Sequence, residues 1–169
     1  MDITVDSLTY EDSKPLFDFE YNNRAYFEKM VPSRGNTYYQ YETFLKQQIA
    51  ILHEQEQGIA YFYLIKDRGG NILGRMNLVN IDRIHHTGYI GYRMGEEHTG
   101  QGVAQKALLL FMNTIKHKGI SLVYAKTTTN NIASQRILEK NDFSKVEHND
   151  ERFEMNGEAV KFVHYKRYL

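Results

Sequence analysis

The sequence has no cysteine and no tryptophan, only two prolines, and no net charge, because 21 Lys and Arg balance 21 Asp and Glu. The lack of cysteine excludes disulfides, thiolate zinc sites, iron–sulfur clusters and cysteine nucleophiles. A neutral chain has no long-range field that would draw it onto nucleic acid or an anionic membrane, so we expect neither partner. There is no secretory leader and no apolar run of the ~18 residues that a membrane helix needs, so we expect a cytoplasmic location.

Enough apolar material is present for an ordinary globular core. Hydrophobic residues make up 41% of the 169 residues, and aromatic residues make up 13%. A chain of this length has room for one domain of ~150 residues and little else. No linker, repeat or low-complexity segment interrupts it. We therefore expect residues 1–169 to form a single domain.

The hydrophobic pattern changes period along the chain, from helical to extended and then to mixed. Helices are predicted at residues 13–23, 38–55, 103–118 and 131–140, with a loop at 31–36. Strands are predicted at residues 59–66, 72–81, 88–94, 120–126, 143–146 and 159–168. The first three strands should form an antiparallel meander, and the helix before strand 120–126 should make that strand parallel to strand 88–94. The fold class is therefore α+β, with a mostly antiparallel mixed sheet flanked by helices.

The most informative stretch is residues 92–104, where a strand ends, a glycine-rich loop follows and an amphipathic helix begins. Free N–H groups and the positive end of the dipole at a helix start bind phosphate, and Gly100 and Gly102 would let the backbone approach its oxygens. A simple turn is the alternative interpretation. The loop has neither the Lys-Ser/Thr pair of a P-loop nor the third glycine of a dinucleotide fingerprint. The pattern therefore favours a phosphate-bearing cofactor of another kind.

A second motif makes a family resemblance specific. The sequence GQGVA at residues 100–104 is followed by NIAS at 131–134 and LEKNDF at 138–143. Together these motifs resemble the GNAT superfamily of acetyl-CoA-dependent N-acetyltransferases, and most closely its RimJ/RimL-like branch. The early segment at residues 23–32 resembles the same branch, so the likeness covers essentially the whole chain. It implies a GNAT-like sheet in which the two parallel strands splay apart.

The resemblance implies a set of residues that bind the cofactor. The glycine loop would hold the CoA pyrophosphate, the strand at 92–94 would pair with the pantetheine arm, and residues of the second motif would lie near the thiol. Thr99 departs from the usual Gln or Arg. The implied cofactor-binding residues are Tyr92, Arg93, Met94, Thr99, Gly100, Gln101, Gly102, Val103, Ala104, Asn131 and Ser134.

The resemblance also implies catalytic roles. Many members have a tyrosine before Glu-Lys that protonates the leaving thiolate, but this sequence has Leu138 at that place. In the RimJ/RimL-like branch the Ser of Asn-x-x-Ser is the proposed acid, which corresponds to Ser134. Asp142 replaces a usual glycine, a change that a left-handed turn tolerates. Four residues remain open as the general base, with Glu154 kept in the predicted catalytic set: Glu154, Glu151, His85 and His86.

No metal site is predicted, because the pair His85-His86 together with His98 has no further ligand at a fixed spacing. The leading functional prediction is an enzyme that transfers acetyl from acetyl-CoA to a primary amine, either a protein N-terminus or a small-molecule amine. The alternative is a non-catalytic acyl-CoA-binding or sensor module, which Leu138 and Thr99 favour. The sequence leaves open the acceptor, the acyl-chain length and whether the chain forms a homodimer.

Overall fold

The protein, described over residues 1–169 by a computed structural model, is built on one seven-stranded sheet with a small separate hairpin. The strand order in the sheet is β1-β2-β3-β4-β5-β9-β6, and β7 pairs only with β8. The strands are β1 Ile3–Ser7, β2 Tyr61–Asp67, β3 Ile72–Asp82, β4 Thr87–Met94, β5 Leu122–Thr128, β6 Ser144–Val146, β7 Phe153–Met155, β8 Glu158–Val160 and β9 Phe162–Tyr168.

Five α-helices cover the two faces of the sheet. They are α1 Ser13–Asn22, α2 Arg24–Met30, α3 Tyr41–Glu56, α4 Val103–Lys116 and α5 Ile132–Lys140. Three short 3-10 turns lie at Tyr10–Asp12, Thr37–Tyr39 and Glu96–His98. None of the helices combines the length and the apolarity needed to cross a lipid bilayer.

Alternation along β2 divides the core into two layers. Tyr63 and Ile65 face the cluster that includes α4 and α5, whereas Phe62 and Leu64 face the cluster that includes α1, α2 and α3. Successive side chains of a strand point to opposite faces, so a strand buried on both sides reads as a continuous apolar run. This explains why β2 is a continuous apolar run, without alternating polar residues.

The predicted sheet topology is confirmed. β2, β3 and β4 form the antiparallel meander, and β4 and β5 form the parallel pair. At the β2–β3 turn the Oδ1 of Asp67 accepts hydrogen bonds of 2.9 Å from the N–H groups of Gly69 and Asn71. This side-chain turn fixes the meander locally.

The structure corrects several element boundaries. The strand β1 was not predicted. The helix α2 was not predicted either: the predicted helix at 13–23 ends at Asn22, and a separate helix begins at Arg24. α3 begins at Tyr41, three residues later than predicted. The predicted closing strand at 159–168 is two strands: β8 pairs with β7, and β9 pairs with both β5 and β6. Lys161 separates β8 from β9, so the chain changes partners there.

Candidate active site

The parallel strands β4 and β5 separate towards their C-terminal ends. They pair only from Thr87 to Tyr89 and from Leu122 to Tyr124. From Ile90 onward the edge of β4 that faces β5 has no strand partner. This splay leaves backbone N–H and C=O groups available to an extended ligand.

Two cavities meet at the splay. The α4 cavity, about 560 Å³, runs along the starts of α4 and α5, and the β5 cavity, about 390 Å³, lies between the ends of β4 and β5 beside the loop at 31–34. The residues that line both cavities are Met30, Val31, Tyr92, Arg93, Asn131 and Ser134. Two ligands could therefore bind on opposite sides of one junction and touch there.

The start of α4 offers a row of free backbone donors. Gly100 and Gly102 have φ of +72° and +76°, and nothing lies within 4 Å of a Cβ built on either. The N–H of Lys106 is the first of the helix to bond, to the carbonyl of Gly102 at 3.1 Å. The preceding N–H groups of the first turn have no helical acceptor. A phosphate at this site would be bound by backbone and helix dipole.

The side chains of the glycine loop do not add to that row. Thr99 Oγ1 donates to the carbonyl of Glu96 at 2.8 Å, and Gln101 Nε2 donates to the carbonyl of Glu97 at 2.7 Å. Thr99 lines the α4 cavity, but Gln101 does not. Both side chains hold the loop's shape. The backbone N–H groups that would bind a phosphate do not depend on the Thr99 side chain, so its departure from the family pattern leaves them in place.

Side chains to which no cofactor role was assigned from the sequence also line the α4 cavity. They are His98, Arg136 and Lys140, and no carboxylate lines this cavity. Arg136 and Lys140 stand four residues apart, and this spacing puts them on one face of α5. The spacing was visible in the sequence, but its relevance depends on α5 lying beside the start of α4.

At the junction of the cavities, Ser134 meets a phenol from another element. Tyr92 Oη and Ser134 Oγ are 3.0 Å apart. Asn131 caps α5 by accepting a 3.1 Å hydrogen bond from the N–H of Ser134, which fixes the serine's backbone. Burial raises the pKa of Tyr92 to about 12, opposed by the hydrogen bond with Ser134. Leu138, where other members have tyrosine, is 1% exposed and forms an apolar wall of the β5 cavity.

A buried ion cluster supports the wall of the β5 cavity. Glu20, with a fully buried side chain, accepts hydrogen bonds from Arg75 at 2.9 Å and from Arg93 at 3.1 Å. The guanidinium group of Arg93 also lies 4.6 Å from the centre of the Phe27 ring. Burial alone would raise the pKa of Glu20, but the charges of Arg75 and Arg93 hold it below its ordinary value. Glu20 is therefore an ionised structural partner and a poor base.

The four candidate bases do not line either cavity. Glu154 is exposed on β7, and Glu151 is exposed just before it. His85 and His86 lie in the turn before Thr87, at the opposite end of β4 from Met94. The structure brings the predicted cofactor residues together, with Gln101 turned away, but it leaves the candidate bases outside.

Three other possible metal ligands form a cluster that no sequence spacing suggested. The ligand atoms of His148, Asp150 and His164 lie within 4.8 Å of one another. Asp150 hydrogen-bonds His148 at 2.8 Å and also contacts His164, and its pKa is lowered chiefly by the hydrogen bond from His164. The carboxylate thus pairs with one nitrogen of each imidazole, and the cluster lines neither cavity.

Comparisons with known proteins agree with this geometry. The Acetyltransferase (GNAT) domain family matches residues 2–144. A probable N-acetyltransferase, YjcK of Bacillus subtilis, is 28% identical over 149 residues, which are 85% of this chain and 81% of that protein. The solved ribosomal-protein-S5-alanine acetyltransferase of Vibrio fischeri superposes with a TM-score of 0.90 at 18% identity, covering 99% of this chain and 93% of that one. The ribosomal L7/L12 α-N-protein acetyltransferase RimL, solved with CoA, gives 0.88 at 21% identity, covering 99% and 94%.

The overall fold is shared with these two solved acetyltransferases. The chain belongs to the GNAT acetyltransferase family, and it is an N-acetyltransferase. The resemblance that the sequence motifs suggested is confirmed.

Proposed function

We propose that the protein transfers the acetyl group of acetyl-CoA directly to a primary amine at the junction of its two cavities. The observation that carries this proposal is that Tyr92 and Ser134 line both cavities at the end of the splay. The α4 cavity would take the cofactor and the β5 cavity the amine. A shared junction would hold the thioester and the amine in a fixed relative orientation. The two then react within one bound complex and not through a random encounter.

The cofactor would extend from the start of α4 to Ser134. Its pyrophosphate would accept hydrogen bonds from the N–H groups at residues 100–105, with Arg136 and Lys140 supplying positive charge. Its pantetheine amides would pair with the free edge of β4 after Ile90. The thioester would then stand beside the Tyr92–Ser134 pair.

The transfer itself needs few side chains. The neutral amine attacks the thioester carbon, the carbonyl oxygen becomes an oxyanion, and the new C–N bond leaves an ammonium on nitrogen. The C–S bond then breaks as the carbonyl re-forms, and sulfur leaves with the electron pair. Ser134 donates its proton to the sulfur, Tyr92 donates to Ser134, and the ammonium proton returns to the phenol through water. The net result moves one proton from nitrogen to sulfur.

The amine must reach the thioester without its proton. No carboxylate or imidazole lines the β5 cavity, and Glu20 is held ionised by two arginines. We propose that water takes the proton before attack. Amines with a low pKa, such as an α-amino group near 7.7–8.0, then offer more of the reactive form at neutral pH than a lysine-like amine near 10.4.

The alternative, a non-catalytic acyl-CoA-binding or sensor module, was favoured by Leu138 and Thr99. Two observations count against it: Tyr92 places a phenol beside Ser134, and the loop's free donors do not depend on Thr99. The test is release of free CoA from acetyl-CoA in the presence of a primary amine, followed with a thiol reagent. Because the chain has no cysteine, the protein itself gives no background. Binding of acetyl-CoA without any amine-dependent CoA release would refute catalysis and support the alternative.

A further inference from the structure

The β5 cavity is positively charged. Its lining includes four cationic side chains, namely Arg34, Arg75, Arg93 and Lys126, and no acidic one. Arg75 is 9% exposed, so its charge is largely removed from bulk water. A charge in such a place acts on a ligand far more strongly than a surface charge does.

One carboxylate does not neutralise these cations. Glu20 contacts Arg75 and Arg93, and both guanidinium groups share it. Neither Arg34 nor Lys126 has a carboxylate within 4.0 Å. Burial lowers the pKa of Arg93, and the like charges of Arg34 and Arg75 add to this against the opposing effect of Glu20. The cavity therefore keeps an excess of positive charge.

Two of the guanidinium groups converge on one phenol oxygen. Arg34 Nη1 lies 3.1 Å from the hydroxyl of Tyr38, and Arg75 Nη1 lies 3.5 Å from the same oxygen. Two like charges so close together repel each other, and an anion placed between them would relieve that repulsion. Planar guanidinium groups suit carboxylate and phosphate oxygens, which they can bind through two parallel hydrogen bonds.

We propose that the acceptor is an amine that also carries an anionic group, a carboxylate or a phosphate, and that Arg34 and Arg75 bind that group in the β5 cavity. This inference rests on the proposed acetyl transfer and names its substrate class. Arg75 is the register partner of Arg93, and Arg93 follows Tyr92 on β4. The anion-binding end and the Tyr92–Ser134 pair thus belong to one small cavity, and a compact molecule can reach both.

The same charge helps to prepare the amine for attack. A positive environment disfavours an ammonium ion and favours the neutral amine, so the cations lower the pKa of an amine that enters. This effect supplies part of what a general base would supply in a cavity that has none. A polyamine would gain nothing from these arginines and would be repelled by them.

Matched acceptors test the proposal. We would measure kcat/KM for CoA release with leucine and leucinamide, with phosphoethanolamine and ethanolamine, and with spermidine. Each kcat/KM would be divided by the fraction of that amine that is unprotonated at the assay pH. The first pair isolates a carboxylate and the second a phosphate. The anionic member of at least one pair should exceed its neutral partner by about 10-fold or more, the effect of one hydrogen bond to a charged group. Spermidine should be the poorest acceptor.

Arg34→Gln should raise KM for the anionic acceptor and so remove most of the difference in kcat/KM between the anionic and the neutral member of the pair. The control is Arg68→Gln, because Arg68 is exposed in the β2–β3 turn and lines neither cavity. Calorimetry of leucine and phosphoethanolamine with the CoA-loaded protein gives a second readout. Equal kcat/KM within both pairs, or spermidine as the best acceptor, would overturn anion recognition and leave acetyl transfer standing. Anion binding that depends on Arg34, without CoA release from any acceptor, would overturn acetyl transfer instead.

Discussion

The hydrogen bond between Tyr92 and Ser134 leads to a quantitative prediction about the leaving thiolate. An alkyl thiol has a pKa near 8.5, whereas the pKa of Tyr92 is about 12. Transfer of a proton from the phenol to the thiolate is therefore uphill by about 3.5 pKa units, or about 5 kcal/mol at 1.36 kcal/mol per unit. Neither hydroxyl can remain as an anion. The two must act as a pair of donors that are refilled from the ammonium of the intermediate.

Loss of such a donor should reduce turnover by about 10²–10⁴-fold, because the hydroxyl acts on charge that develops only in the transition state. We expect this loss for Ser134→Ala at saturating acetyl-CoA, with the affinity for CoA nearly unchanged. Tyr92→Phe should lower turnover by a smaller factor, since Ser134 can still donate to the sulfur. If the pair acts as a unit, the double variant should be no slower than Ser134→Ala alone.

The assay is the rate of CoA release at saturating acetyl-CoA, together with the Kd for CoA from calorimetry. A decrease of less than about threefold for Ser134→Ala would show that water or another group protonates the thiolate. A parallel loss of CoA affinity would show that Ser134 is a binding residue. Strictly multiplicative effects of the two substitutions would show that Tyr92 and Ser134 act independently, and the proposed relay would be wrong.

Three further predictions follow from single sites. Gly102→Glu should abolish CoA binding in calorimetry by blocking the phosphate site. The control is Gly119→Glu, which has a similar φ of +77° and equally open space and should keep CoA binding. Equal losses of CoA affinity would mean that backbone strain alone is responsible. Because the pKa of Tyr92 is raised to about 12, the phenol stays protonated well above pH 10, so Tyr92 should add no descending limb to kcat near pH 10. A descending limb near pH 10 that disappears in Tyr92→Phe would contradict its burial. Glu20→Gln should lower the free energy of unfolding in urea by about 3–5 kcal/mol, because two arginines lose their buried partner. Since folding lowers the pKa of Glu20, its contribution is present above the unfolded value of 4.5 and is lost as pH falls, so the variant should lose less stability on acidification; an unchanged profile would refute this.

Most of the sheet could be predicted because its signals are local. Hydrophobic periodicity and turn residues within short windows predict the turn at Asp67, the meander around it and the parallel crossover through α4. β1 escaped prediction because five residues beside a terminus carry little periodicity, and their strand character depends on pairing with β2. The chain's change of partners at Lys161 was missed for the same reason, since β7 and β8 pair with each other outside the main sheet.

The cofactor half of the site could also be predicted in outline. The glycine loop and the Asn131–Ser134 motif lie on contiguous residues, so their resemblance to a known family was visible. The loop's side chains were harder, because only the structure places Thr99 and Gln101 in hydrogen bonds to carbonyls of their own loop. Arg136 and Lys140 had the right spacing, but nothing in the sequence placed α5 beside α4.

The sequence by itself determined the family, the β2–β4 meander and the parallel crossover through α4, because hydrophobic period, glycine position and short motifs are properties of neighbouring residues. Only the tertiary structure decided what surrounds the reacting groups. Tyr92 and Ser134 are 42 residues apart, and Glu20 and Arg75 are 55 apart, yet each pair is within hydrogen-bonding distance. The charge of the acceptor cavity and the environment of its phenol depend on such contacts. They arise when separate elements pack together and exclude water, and no local pattern records them.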